Sequence, residues 1–227
     1  MPLADCERLT DGLLMQPGNA VSSLAFVLAG ILVPVVVRRR GGGHALLAWT
    51  FGLVLFLVGV GSVAFHGPGG PAGGWVHDAS ITALLLLVLA VEVGHRADWS
   101  NRQVMMSWVV AASLLMLAEG VWPRVGDPLN VPLAAFAVLS VLGPELGFYR
   151  YRLPAQAQGR RSGLLVAITL LATGAIVMLL SRTGAPLCFP DTMVQGHAVW
   201  HLLAAAGLGI YAVSVTTGAD QPAAVPL

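Results

Sequence analysis

Long apolar runs separated by short polar joints fill most of this chain, and the runs share a common length. Seven can be drawn: roughly Asn19 to Val37, Ala45 to His66, Trp75 to Val93, Val104 to Trp122, Leu129 to Tyr149, Gly163 to Ser181 and Val194 to Val215. Crossing a hydrocarbon core takes about 20 residues at ~1.5 Å rise each, so each run is long enough to span a bilayer. Inside lipid no water meets an open backbone group, which predicts that every run is helical. Pro34, Pro132 and Pro144 are expected to kink or end local turns, as membrane helices tolerate when neighbours re-satisfy the freed carbonyls. The pattern predicts an all-α polytopic membrane protein. Residues 1–227 form a single seven-helix domain, with 1–18 as an amino-terminal segment and 216–227 as a tail.

Composition excludes a water-soluble alternative. With 56% hydrophobic and 10% charged residues and a mean hydropathy of +0.79, the chain has too little polar surface for a water-facing domain. The net charge of +1 is uninformative, but the placement of the cations is not. All twelve are arginines, and nine of them follow spans one, three and five: Arg38, Arg39, Arg40, Arg96, Arg102, Arg150, Arg152, Arg160 and Arg161. Positive loops face the cytoplasm, so the amino terminus is expected outside and the carboxyl terminus inside. The run Arg38 to Arg40 is read as this topology signal, and no nucleic-acid partner is expected. The acidic start (Asp5, Glu7, Asp11) and a first apolar run longer than the about 7–15 residues of a signal-peptide core mark that run as a retained span.

Within this topology, candidate chemistry gathers at the outer ends of three spans. His66 closes span two, Asp78 stands at the head of span three, and His197 and His201 open span seven. Residues four apart share a helical face, so His197 and His201 can both reach one ion, and His66 can add a third nitrogen from another helix. Three nitrogens with an open position form the catalytic type of zinc site, whereas structural sites are closed by four protein ligands. Ser62 lies one turn deeper than His66; alone, such a serine reads as a small packing residue bonded to its own helix. Asp78 could cap span three, but beside three histidines a proton-transfer or orienting role fits better. His77 points about 100° away from Asp78 and is read as a residue of the site's mouth, while His44 and His95 are read as solvated loop residues. The run Gly67 to Gly74 reads as a flexible loop.

Two cysteines, Cys6 and Cys188, fall on the same, oxidising side. A bridge between them is permitted there, and two free buried thiols are the alternative.

Taken together, Gly61-Ser62-Val63-Ala64-Phe65-His66, Asp78, and His197-Ala198-Val199-Trp200-His201-Leu202 resemble the three motifs of the alkaline ceramidases. They also resemble the wider heptahelical hydrolase superfamily that includes the progestin and adipoQ receptors and the lipid-remodelling enzymes of GPI-anchor maturation. The resemblance runs from Cys6 to about span seven. It implies zinc held by His66, His197 and His201, Ser62 stabilising an oxyanion, Asp78 acting as base and then acid, and a Cys6–Cys188 bridge. It also implies calcium at the amino-terminal segment with Glu7 as a ligand. In that pattern Ala4, Leu9 and Gln16 replace an aspartate, an asparagine and a glutamate; Asp5 and Asp11 are either substitutes or solvated terminal acids.

These readings converge on a zinc-dependent intramembrane lipid hydrolase that cleaves the amide bond of ceramide or a related N-acyl lipid by attack of water activated on the ion. The membrane lipid is the expected partner and enters sideways from the bilayer. The expected location is a bacterial inner membrane, or the ER, Golgi or plasma membrane of a eukaryote, with the site toward the extracytoplasmic side. The alternatives are an ester-cleaving or acyl-transferring lipid-remodelling enzyme, and a heptahelical receptor in which zinc is only structural.

Overall fold

A computed structural model describes residues 5–121, 157–192 and 194–217. The elements in chain order are α1 (Pro17–Ser22), α2 (Leu24–Arg39), α3 (Ala45–His66), α4 (Gly70–Arg96), α5 (Asn101–Val121), α6 (Ala157–Leu180) and α7 (Gly196–Thr216). Among the described residues five helical runs are long and apolar enough to cross a membrane: Pro17–Arg39, Ala45–His66, Gly70–Arg96, Arg160–Leu180 and Gly196–Thr216. The expected span over Val104 to Trp122 is helical as α5 as far as Val121, where the described residues end, and it is not among the five. The expected span Leu129 to Tyr149, with Pro132, Pro144 and Glu145, lies outside the described residues, as do Arg124, Arg150, Arg152 and most of the tail.

The helices pack as a series in which α3 touches α2 and α4, α4 touches α5, and α7 touches α2 and α6. The short α1 lies across the ends of α3 and α7. Phe51, Leu55 and Leu87 fill the centre, while Leu28, Ile31, Leu53, Leu114 and Ile176 face outward. Apolar side chains therefore cover the outside as well as the core, which a water-soluble bundle avoids and which suits helices bathed in lipid.

Small residues set how closely the helices approach. A Cβ added to Gly30 would stand 2.5 Å from the Gly52 carbonyl oxygen, and one on Gly52 would stand 2.6 Å from that of Gly30. Between lipid-exposed helices, where water supplies no driving force, such backbone contact is the main source of packing energy. The α2–α3 seam continues at Gly59, whose added Cβ would meet the Val27 nitrogen at 2.7 Å. Helix α2 runs uninterrupted through Pro34, whose ring lies against Gly52.

Two boundaries differ from the hydrophobic pattern. The first span is broken at Ser23 into α1 and α2, because the Ser22 and Ser23 hydroxyls donate to the Asn19 carbonyl (3.0 and 2.6 Å) and the Phe26 amide bonds to the Ser23 carbonyl at 3.1 Å. Back-bonding of this kind bends helices. The expected loop Gly67 to Gly74 shrinks to three residues, since α4 begins at Gly70. Gly69 and Gly70 take positive φ of 68° and 80° to make the turn, and Pro71 is well suited to the first turn of a helix. Gly73 then lets α4 lie on the backbone of α3, where a Cβ would stand 2.6 Å from the Ala64 carbonyl oxygen. Asp78 consequently sits in the third turn of α4 rather than at its head.

The amino-terminal segment is strapped over one end of the bundle. Cys6 and Cys188 form a disulfide with a Cα separation of 5.4 Å. Arg8 meets Asp191 through two contacts of 2.6 and 3.0 Å, and its amide bonds to the Pro190 carbonyl at 3.1 Å. On the other flank, the amides of Met15 and Gln16 donate to the carbonyls of Gly67 and His66 at 2.9 and 2.8 Å. The strap thus ties the end of α3 to the loop that leads into α7.

Candidate metal centre

Under this strap the end of α3 and the start of α7 bring three imidazoles together. His66, His197 and His201 each offer a ligand atom within 4.8 Å of the other two, and this group could hold a metal ion. The ring centroids are 5.0 Å (His66–His197), 5.3 Å (His66–His201) and 4.5 Å (His197–His201) apart. His66 is 1% exposed and His201 3%. Among the described residues, no fourth His, Cys, Asp or Glu joins the group.

Proton bookkeeping shows which nitrogens face inward. Nδ1 of His66 lies 2.6 Å from Gln16 Oε1; an amide oxygen only accepts, so Nδ1 carries the proton and Nε2 keeps its lone pair. That Nε2 is buried and has no hydrogen-bond partner. Nδ1 of His201 lies 2.9 Å from Ser22 Oγ and 3.3 Å from Ser23 Oγ. Each serine gives its one proton to the Asn19 carbonyl, so both oxygens accept and His201 Nδ1 donates. Nδ1 of His197 lies 3.2 Å from Asp5 Oδ1, an ion-pair approach without the alignment of a hydrogen bond. Nε2 of His66 and of His201 is thereby left to hold an ion, while Nδ1 of His197 is buried without a hydrogen-bond partner, with the Asp5 carboxylate beside it. Orienting the outer nitrogen of each imidazole is how metal sites fix tautomer and ring direction, and the chemistry of this donor set fits zinc or another imidazole-seeking divalent ion.

Every one of these outer partners comes from the amino-terminal segment or from the α1–α2 break: Asp5, Gln16, Ser22 and Ser23. Reading the sequence for ligands passes over Gln16 and Ser23 and considers Asp5 only as a calcium substitute. The available signal was the polar stripe Gln16, Asn19, Ser22 and Ser23, which shares one side of an otherwise apolar run.

Ser62 is 1% exposed and lies 2.8 Å from Ser23 Oγ. Since Ser23 is already donating to Asn19, Ser62 is the donor in that pair, and it joins the network one bond removed from His201. Asp78 is placed differently. Its Oδ1 accepts from His77 Nδ1 at 2.9 Å, and its side chain is 25% exposed. The His77 ring stacks on Phe65 at 4.8 Å and stands 6.0 Å from that of His66. The neighbour expected to be a mouth residue is therefore the one that bonds the Asp78 carboxylate, and its own ring is the one that approaches His66.

Glu7, the residue implied as a calcium ligand, is an N-terminal cap in the structure. Its two carboxylate oxygens accept the amides of Gly18 (2.6 Å) and Asn19 (2.9 Å), capping the first turn of α1. Among the described residues no cluster of three acidic side chains forms around it. His44, expected in a solvated loop, caps the far end: its amide bonds to the Thr216 carbonyl at 3.0 Å. Glu92 is buried and accepts from the Tyr211 hydroxyl at 2.8 Å.

No protein-family model matches the chain, and no curated protein matches it.

Proposed function

We propose that this protein is a seven-span, zinc-dependent intramembrane hydrolase of the alkaline-ceramidase type, acting on the amide bond of ceramide or a related N-acyl lipid. The carrying observation is the triad itself: His66, His197 and His201 each bring a ligand atom within 4.8 Å of the other two, while an oxygen stands beside Nδ1 of each ring. A purely structural clip would be expected to close its shell with a fourth protein ligand, and among the described residues none joins the three histidines. The alternation of arginine-rich loops supports an amino terminus outside and a carboxyl terminus inside, which puts the triad near the extracytoplasmic surface.

Zinc held at the triad would polarise the acyl carbonyl and bring the pKa of water down to about 7. Ser62 would turn its hydroxyl from Ser23 toward the developing oxyanion, a contribution favoured where little water competes. Asp78, steadied by His77, would accept the proton from the attacking water and return it to the departing amine. The apolar outer faces of the helices would let a lipid approach from the side.

The test is a lipid assay of the purified chain, with and without chelator, offering N-acyl and O-acyl lipids side by side, together with metal analysis. Release of fatty acid from the N-acyl lipid that stops with chelator is the expected result. His197→Ala should lose the metal, whereas Asp78→Ala should keep it and lose turnover. A metal-loaded protein that cleaves neither lipid would overturn the hydrolase reading.

A further inference from the structure

The strap carries more than a disulfide. Asp5 stands one residue before Cys6, and its carboxylate reaches the triad from above: Oδ1 is 3.2 Å from His197 Nδ1 and Oδ2 is 3.9 Å from His66 Nδ1. For His66 this is the outer nitrogen, because its Nδ1 proton is committed to Gln16 and its Nε2 is the unpartnered atom. Asp5 therefore approaches the back of the His66 imidazole, and it is the oxygen beside the buried, unbonded Nδ1 of His197. Its side chain is only 16% exposed.

What holds Asp5 there is external to it. Its backbone bridges to Arg182, its carbonyl accepts from Thr183 Oγ1 at 3.2 Å, and Cys6 next to it is bonded to Cys188. His197 Nδ1 makes no hydrogen bond among the described residues, and Asp5 Oδ1 at 3.2 Å is the charged oxygen beside it. Of the oxygens beside the three Nδ1 atoms, then, Ser22 belongs to the helical run that forms the bundle and Gln16 directly precedes it, while Asp5 belongs to a segment held by its disulfide and loop contacts.

We infer that Asp5 is a positioning residue for His197, and that the Cys6–Cys188 bridge acts on the metal centre through it. This rests on reading the three histidines as a metal site. A carboxylate behind a ligating imidazole fixes its tautomer and raises its basicity, and losing such a partner costs roughly 10–100-fold in metal affinity. If the bridge acts by holding Asp5, cutting the bridge and removing the carboxylate damage the same interaction, so their effects do not add.

The experiment measures Zn2+ affinity by competition with a chelating dye, and the visible spectrum of the Co2+ form, on the full chain in detergent. The variants are Asp5→Ala, Asp5→Asn, Cys6→Ser with Cys188→Ser, and the triple combination, each read at a temperature where thermal unfolding shows it folded. Expected are a 10–100-fold weaker affinity in Asp5→Ala with a shifted cobalt band, a smaller loss in Asp5→Asn, and a similar loss in the bridge-less chain. The triple variant should bind no more weakly than the worse of its parents. A wild-type affinity and cobalt spectrum in Asp5→Ala would overturn the inference while leaving the metal site standing. Losses that multiply in the triple variant would separate the bridge from Asp5. Cobalt spectra showing a carboxylate oxygen on the ion, lost in Asp5→Ala, would make Asp5 a ligand and overturn the positioning role. Absence of metal from the wild-type chain would instead remove the reading on which the inference stands.

Discussion

The two ends of the bundle bury polar side chains in equally apolar surroundings and dispose of them in opposite ways. At the arginine-rich end, Tyr211 donates to Glu92 across α4 and α7, a phenol and a carboxylate closing on each other at 2.8 Å. At the strapped end, Gln16 and Ser22 occupy the outer nitrogens of His66 and His201 and Asp5 stands beside His197, yet His66 Nε2 and His197 Nδ1 are buried without a hydrogen-bond partner. A buried polar atom with no partner costs about 1–3 kcal/mol; Arg160 Nε is another, but two such atoms within one group of three imidazoles mark a place for an ion. The contrast separates a polar pair that holds helices together from a polar group arranged for an ion, although both sit on helices long and apolar enough to cross a membrane and either could be singled out on that ground alone.

Breaking the contrast most severely means deleting a ligand. His201→Ala should abolish metal binding, read as loss of stoichiometric Zn2+ after gel filtration, with helix content by circular dichroism unchanged. Full metal occupancy in that variant would return the strapped end to the same class as the Glu92–Tyr211 pair. Next in size is Ser62→Ala. If Ser62 serves the oxyanion, turnover of an N-acyl lipid should fall by about 10²–10³-fold while Zn2+ affinity stays within a few-fold of wild type. A variant that instead loses metal in proportion to activity would place Ser62 in the support of His201 through Ser23.

A finer cut tests the outer nitrogens. Gln16→Leu removes the acceptor from His66 Nδ1 and should weaken Zn2+ binding by about 10–100-fold, measured by dye competition. An unchanged affinity would mean that the geometry of α3 alone orients the ring.

How much of this was legible in the sequence follows from which interactions are local. The four-residue spacing of His197 and His201 and the position of His66 at a span end are periodic facts, and the triad was readable from them. The apolar runs of α2, α3, α4, α6 and α7 were readable for the same reason. What supports the triad was not, because Asp5, Gln16, Ser22 and Ser23 reach it only once a disulfide and several backbone bonds have laid the amino-terminal segment over the bundle. Glycine misled at Gly67 to Gly74: read as freedom of the backbone, it served instead for a tight turn at Gly69 and Gly70 and a close helix contact at Gly73. Asp78 moved from the helix start to the third turn as a result, and its partner turned out to be the adjacent His77.

The smallest expected effect tests the opposite end. Tyr211→Phe keeps the ring that packs edge-on against Phe51 at 5.8 Å and deletes only the hydroxyl that donates to Glu92. Removing that bond should lower stability by about 1–3 kcal/mol, visible as a lower midpoint in detergent unfolding. Zn2+ affinity and turnover should be unaffected, because the pair is separated from the triad by about half the length of α7: 211 and 201 are ten residues apart, about 15 Å of helix. A Tyr211→Phe protein that unfolds like wild type but binds metal more weakly would show that the arginine-rich end communicates with the strapped one, and the division between a structural pair and an ion-binding group would have to be redrawn.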